Sequence, residues 1–346
     1  NRRWRRALDA LITGGAGFIG SNLAHRLVGE GHQVVVYDNL SRPGAAKNVA
    51  WLRAECGDRW TLLHADIRDS GALCRAAEGA DVIYHLASQV AVTTSVQDPR
   101  QDFEANALGT FNVLEAARLS GRRPIVLYAS TNKVYGGMED VAVVEGETGY
   151  SYRDYPYGIP ETYPLDFHSP YGCSKGAGDQ YVRDYARIYE LPTVVLRQSC
   201  IYGPRQFGME DQGWVAWFLI AAITGQTITI YGDGKQVRDV LWVDDLLDLY
   251  DAAIAQIDVA AGQVYNVGGG PGNTLAVWQE LGPMLKKLMG DEIPVARDSW
   301  RPGDQHIFVA DIRKAERELG WRPSTSREDG VRRLYEWVAD HRALFA

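Results

Sequence analysis

A strand of mostly apolar residues at 8–13 runs without a break into Gly14-Gly15-Ala16-Gly17-Phe18-Ile19-Gly20, and a helical pattern at 21–29 comes directly after it. Residues without a Cβ let the chain turn sharply and lie close against a pyrophosphate, while the next helix offers its first N–H groups to the negative charge. Gly14, Gly17 and Gly20, three apart, suit that use. The same trio also serves a strand-to-helix turn that binds nothing, so the choice falls to residues farther along the chain. A second strand at 33–37 ends at Asp38, eighteen positions past Gly20 (38 − 20 = 18). An acidic side chain there is suited to accept hydrogen bonds from an adenosine ribose. It would repel a 2′-phosphate, which argues for NAD over NADP, with Arg42 nearby leaving that choice open.

Further strands at 60–64, 82–86, 124–130 and 193–197 alternate with helical patterns. Alternation at this interval builds a Rossmann-type α/β fold, a doubly wound parallel sheet whose ligand sits at the carboxyl ends of the strands. Asp66 is then placed to meet an adenine, and it reads equally well as a turn or helix-cap aspartate. Leu86 and Ala87 would line the dinucleotide. The strand at 124–130 delivers Thr131, a hydroxyl where a nicotinamide would lie and our candidate to bond the reacting oxygen. A helix at 106–118 has a face for core or subunit packing. After Arg197 the pattern changes. We expect a dinucleotide-binding domain over 1–197 with about 237–262, and a smaller α/β substrate-binding domain over 198–236 and 263–346.

The run Ser169-Pro170-Tyr171-Gly172-Cys173-Ser174-Lys175 leads into a helical pattern at 176–189. If the helix begins near Tyr171, residues four apart share a face, so the phenol stands beside the Lys175 ammonium. A free tyrosine titrates near ~10, and an adjacent cation favours its phenolate. The pair thus predicts a base for a hydroxyl group. Taken alone, Tyr-x-x-x-Lys is as often a coincidence of a helix surface.

Together, the segment 14–20, Asp38, Thr131, Tyr171 and Lys175 resemble the extended short-chain dehydrogenase/reductase family of NAD-dependent nucleotide-sugar epimerases and dehydratases. Thr93-Thr94-Ser95, Ser130-Thr131-Asn132-Lys133-Val134-Tyr135-Gly136, the segment 165–176, Asp211-Gln212-Gly213-Trp214-Val215 and Gly234-Lys235-Gln236-Val237-Arg238-Asp239-Val240 are similar to its CDP-sugar 2-epimerase members. The resemblance implies that Thr131, Tyr171 and Lys175 are catalytic, and that Lys175 also binds the nicotinamide ribose. It places Phe18, Ile19, Asn39, Ser41, Ile67 and Ala129 at the cofactor, together with Gly14, Gly17, Gly20, Asp38, Arg42, Asp66, Leu86 and Ala87. It sets Thr94, Asn132, Arg205, Gln206, Arg238 and Arg301 at the substrate, the last two at its phosphates. Many relatives have asparagine where this chain has Cys200, which reads either as a sugar-pocket residue or as a small buried cysteine. The implied reaction interconverts CDP-paratose and CDP-tyvelose by inversion at C2. Residue chemistry alone leaves open C4, a GDP- or UDP-hexose, and a catalytically silent NAD-sensing protein. One family reaction is disfavoured by the residues themselves. The related 4,6-dehydratases carry an acidic pair directly after the position of Thr131, because eliminating water needs an acid and a base; here Asn132 and Lys133 stand there.

A formal charge of −8 makes a nucleic-acid backbone an unsuitable partner. The cysteines Cys56, Cys74, Cys173 and Cys200 have no Cys-x-x-Cys spacing, so no metal site is expected, and a reducing cytoplasm fits best. Four arginines within Asn1-Arg2-Arg3-Trp4-Arg5-Arg6 lead into the first strand and not into an apolar signal segment, and no apolar run has membrane length. By analogy with relatives, helices at 106–118 and 174–188 would pair copies into a homodimer or homotetramer.

Overall fold

The computed structural model describes residues 6–210, 212–301 and 304–345. The expectations at residues 1–5 and at Asp211 lie outside them. Seven parallel strands form the main sheet: β1 (Asp9–Thr13), β2 (Gln33–Asp38), β3 (Trp60–His64), β4 (Val82–His85), β5 (Ile125–Thr131), β6 (Thr193–Gln198) and β7 (Val264–Val267). Their order is β7-β6-β5-β4-β1-β2-β3. The chain winds outward one way from β1 to β3, then crosses back and winds the other way from β4. The carboxyl ends of β1 and β4 flank the point of reversal, where such sheets open a crevice.

Strands such as Gln33–Asp38 and Thr193–Gln198 read as apolar runs and not as alternation because helices cover both faces. On one face Leu23, Leu27, Leu52, Leu246 and Tyr250 join the sheet's Ile12, Val34 and Leu127 in a core. On the other, Leu73, Leu114, Val182 and Tyr185 close over Leu11, Ile83 and Val126. A smaller four-stranded sheet contains Cys200–Tyr202, Val237–Trp242, Thr274–Ala276 and Ile307–Phe308. The helices Trp214–Thr224, Leu281–Met289 and Arg327–Asp340 pack beside it through Leu219, Leu285 and Leu334.

Two segments pair otherwise than the sequence-based domain division expects. Val264–Val267, expected in the substrate lobe, is the edge strand of the large sheet, in register with β6. Val237–Trp242, expected in the dinucleotide lobe, pairs only within the small sheet, although the helix after it, Val243–Ala255, packs on the large core. Among the described residues no helix is long and apolar enough to cross a membrane.

Candidate active site

A cleft of ≈ 1040 Å³ opens at the carboxyl ends of the large sheet and continues to the small sheet. Its floor is the glycine turn. Gly14 takes φ +72°, its N–H donates to Tyr37 O at 2.8 Å, and Gly17 N–H donates to Gly14 O at 3.0 Å. A Cβ on Gly14 would lie 2.7 Å from Ala87 N, so only glycine lets the turn meet the loop after β4. Helix Phe18–Gly29 starts immediately behind it.

The Asp38 carboxylate, 9% exposed, accepts from Ala16 N at 3.0 Å and Leu40 N at 2.7 Å. Each oxygen takes one backbone donor, and a carboxylate oxygen has a second lone pair for a hydroxyl. Burial pushes its pKa up and the two N–H groups oppose that. Asp66 is gripped by Arg68 at 2.8 and 2.9 Å and by Asn39 at 2.8 Å, and these hydrogen bonds, Arg68 foremost, hold it well below the usual carboxylate range. Ser41, Ile67, Leu86, Ala87 and Ala129 also line the cleft. Arg42 donates to the side-chain oxygen of Gln212, and both line the cleft.

The helix Ser169–Tyr189 begins where expected. Pro170 occupies its first turn, and Ser169 Oγ accepts Gly172 N–H at 3.2 Å. Ser174, one turn in, donates to the buried Asp102 at 2.5 Å and accepts from Asn106 at 3.1 Å, and Asn106 holds Gln89 N at 2.8 Å. These bonds tie the helix to the loop after β4. The helix expected at 106–118 is broken there: Pro99–Phe103 is followed by a π-turn, Glu104–Leu108, before Gly109–Leu119. Such wide turns are frequent at functional sites.

Tyr171 and Lys175 do share the buried face, but the expected charge coupling is absent from this arrangement. Lys175 Nζ donates to Ala129 O at 2.5 Å and sits 4.4 Å from the Tyr128 ring centroid. A buried ammonium needs an acceptor, and this carbonyl on β5 is one. The hydroxyl beside the phenol is that of Thr131, which itself donates to Asn132 Oδ1 at 3.4 Å. Burial pushes the phenol up to about 12, with Thr131 opposing the shift. Burial also takes Lys175 down to about 7 against the pull of Asp179 and Asp102. Thr131 Oγ1 accepts Lys133 N–H at 3.2 Å, which places the turn after β5.

On the far side of the cleft, Arg238 is committed to Asp304 at 2.9 Å and to the carbonyls of Gln305 and Val237, both at 2.8 Å. The Arg301 guanidinium lies 3.8 Å from the Tyr231 ring centroid, and Arg205 is stacked between Trp51 and Trp337 at 4.4 and 5.5 Å. Gln206 donates to Ile201 O at 3.3 Å. Cys200, half-buried, accepts the Trp214 indole N–H at 3.4 Å, and burial raises its thiol. Thr94 is exposed at the rim and Asn132 half-buried in the wall. All the sequence-derived candidates therefore face one cleft. Lys133, Gln236 and Trp214 line it too, given no site role by sequence reasoning although each lies in a run that carried the resemblance.

A family model described as GDP-mannose 4,6 dehydratase matches residues 11–334. A CDP-paratose 2-epimerase of Salmonella typhi is 45% identical over 96% of this chain and 99% of its own. The chain belongs to the extended short-chain dehydrogenase/reductase family of nucleotide-sugar epimerases and dehydratases. Within this family, a UDP-glucose 4-epimerase of Mycolicibacterium smegmatis is 35% identical over 95% of this chain and 98% of its own. Among solved family structures, the Thermotoga maritima UDP-glucose 4-epimerase with UDP-glucose has a TM-score of 0.81 at 30% identity, covering 96% of this chain and 99% of its own. DesIV of Streptomyces venezuelae, a dTDP-glucose 4,6-dehydratase with NAD bound, has a TM-score of 0.82 at 31% identity, covering 97% and 98%. The glycine turn, the helix start behind it and the Asp38 lone pairs fit the dinucleotide that the family uses.

Proposed function

We propose that the protein is an NAD-dependent nucleotide-sugar epimerase that converts CDP-paratose to CDP-tyvelose at C2. The observation that carries the epimerase reading is the meeting of Thr131, Tyr171 and Lys175 in the cleft with no carboxylate in the two positions after Thr131. The base, the sugar and the carbon are supported by the likeness to the Salmonella protein. The cofactor would lie along Gly14, Gly17, Asp38, Ala87 and Lys175, with Asp38 on the adenosine ribose. Bound there, NAD would supply a reversible hydride acceptor for the carbinol carbon, and the reaction would have no net redox change.

The remaining steps belong to side chains. Tyr171, ionised, takes the proton of the 2-hydroxyl and later returns it to the oxygen of the inverted centre. Thr131 donates to that oxygen as charge develops on it. Because burial holds the free phenol neutral at pH 7, ionisation requires a cation brought to bear when ligands fill the cleft. Lys175, one turn along the same face, is the candidate for that cation. The keto sugar must then turn its opposite face.

Proton NMR of the enzyme with CDP-, GDP- and UDP-sugars in deuterated water, without added cofactor, tests this. The expected product is the C2 epimer of a CDP-sugar without deuterium at C2. Deuterium at the inverted carbon would mean deprotonation chemistry and would overturn the assignment to Tyr171.

We also propose a second copy of the chain as partner. Phe103, Phe111, Leu119, Tyr181 and Ile188 are exposed on the helices Pro99–Phe103, Gly109–Leu119 and Ser169–Tyr189, and Phe111 packs edge-on to Tyr181. Ile188→Asp with Phe111→Asp is expected to leave a monomer in light scattering after gel filtration. A variant with the mass of the parent would refute this face.

A further inference from the structure

Lys133 stands where the family's dehydratases have an acid, and its surroundings are unusual for a lysine. The residue begins at the catalytic hydroxyl, since its N–H bonds Thr131 Oγ1 at 3.2 Å. Its side chain is half-buried in the cleft wall, and Nζ donates to Gln305 Oε1 at 3.3 Å. Gln305 cannot turn its amide over without loss, because its Nε2 donates to Gly136 O at 2.6 Å. The backbone carbonyl of the same Gln305 accepts from Arg238, and Asp304, the carboxylate whose charge acts on Lys133, is taken by Arg238 at 2.9 Å. Lys133 therefore has no carboxylate partner among the described residues. Burial and the neighbouring Arg238 charge weaken its hold on a proton, taking it down to about 8, while Asp304 and Cys200 oppose this.

Two cations facing one committed carboxylate leave this corner of the wall with an excess positive charge, next to Thr131. We propose that Lys133 binds the sugar-linked phosphate of the substrate, and that this contact fixes the sugar with C2 at the reacting position. The proposal rests on the epimerase reading and deepens it. C2 is bonded to C1, the carbon that carries the phosphate, whereas C4 lies across the ring. A phosphate anchor two residues from the catalytic hydroxyl brings the near carbon to Thr131 and Tyr171. For C4 chemistry the phosphates must be held farther off. Lys133 has further N–H donors beyond the one given to Gln305, and an ammonium on a phosphate oxygen is a charge-assisted bond.

The test compares nucleoside diphosphates with their monophosphates by calorimetry, using NAD-loaded parent, Lys133→Met and Lys133→Arg. The pairs are CDP with CMP, UDP with UMP and GDP with GMP. For the pair that the parent binds best, Lys133→Met is expected to weaken the diphosphate about 10- to 100-fold. It should leave the monophosphate unchanged, and Lys133→Arg should recover much of the loss. Equal losses for both nucleotides, or none for either, would overturn the proposal, as would a parent that does not favour the diphosphate. Unchanged diphosphate binding with a raised KM for the sugar nucleotide would move the contact to a sugar oxygen and also reject it. If the diphosphate effect holds but no C2 epimer forms, the epimerase reading fails and the contact stands.

Discussion

Replacing Tyr171 with phenylalanine is expected to lower kcat roughly 10²- to 10⁴-fold, the usual worth of a positioned proton-transfer group. KM for the sugar nucleotide and the NAD content should stay near those of the parent, because the ring keeps its place and only the hydroxyl is lost. Tyr171 is 8% exposed, and the hydroxyl beside its phenol is that of Thr131. Its removal should change stability at pH 7 by no more than about 1 kcal/mol, the net worth of a typical hydrogen bond. At alkaline pH the sign is fixed by the raised phenol. A tyrosine near 10 when unfolded and pushed up to about 12 by burial contributes stability that is fully present below pH ~10 and lost as pH rises through about 12. The variant lacks this loss, so its alkaline unfolding should be less steep. Steady-state kinetics with the C2-epimer assay, beside denaturation curves at pH 7 and above 10, separate the two effects. Retention of more than a tenth of kcat would remove Tyr171 from the chemistry.

What the sequence disclosed was local. The glycine turn, Asp38 and the seven-residue run ending at Lys175 are contiguous signals, and each lands on the element foreseen for it. The apolar runs of the large sheet were also legible, since a strand covered on both faces needs no partner to be recognised. Sheet membership was not. Val264-Tyr265-Asn266-Val267 has the same composition whether it closes the large sheet or the small one, and only packing places it beside β6. The helix at 106–118 reads as continuous because its apolar spacing is, yet Asn106 lies in the π-turn Glu104–Leu108, where its side chain bonds Asp102, Ser174 and the backbone of Gln89. Contacts across the cleft are equally silent in a linear reading. Lys133 and Gln305 are 172 positions apart, and Arg205 lies between tryptophans on two distant helices. The charge coupling of Tyr171 and Lys175 failed for a related reason. Helical spacing sets which residues share a face, but the nearest acceptor decides where a buried ammonium points.

Asp179→Ala should produce the largest loss of stability among single changes near the site, about 3–5 kcal/mol, because it strands a buried charge. Asp179 and Arg197 are 0% and 2% exposed and share two hydrogen bonds of 2.9 Å. Burial works against the guanidinium, and the hydrogen bonds and charge of Asp179 hold its pKa above the usual value. The pair also joins the catalytic elements. Asp179 lies one turn past Lys175 on the helix Ser169–Tyr189, Arg197 is on β6, and Ser130, directly before Thr131, donates to Asp179 at 2.8 Å. Arg197 goes on to Tyr135, which donates to Asn266 at 2.6 Å on the edge strand β7. Removing the carboxylate leaves the charge of Arg197 with a phenol as its remaining partner, and frees the Ser130 hydroxyl beside the reacting threonine. Urea denaturation should therefore show a lower midpoint, and kcat should fall further than the folded fraction explains. The double variant Asp179→Leu with Arg197→Met discriminates a stranded charge from a packing defect. With both charges gone the desolvation penalty goes as well, so the double should be more stable than Asp179→Ala alone. If it is less stable than either single variant, the pair contributes by shape and hydrogen bonding, and the stranded-charge account is wrong.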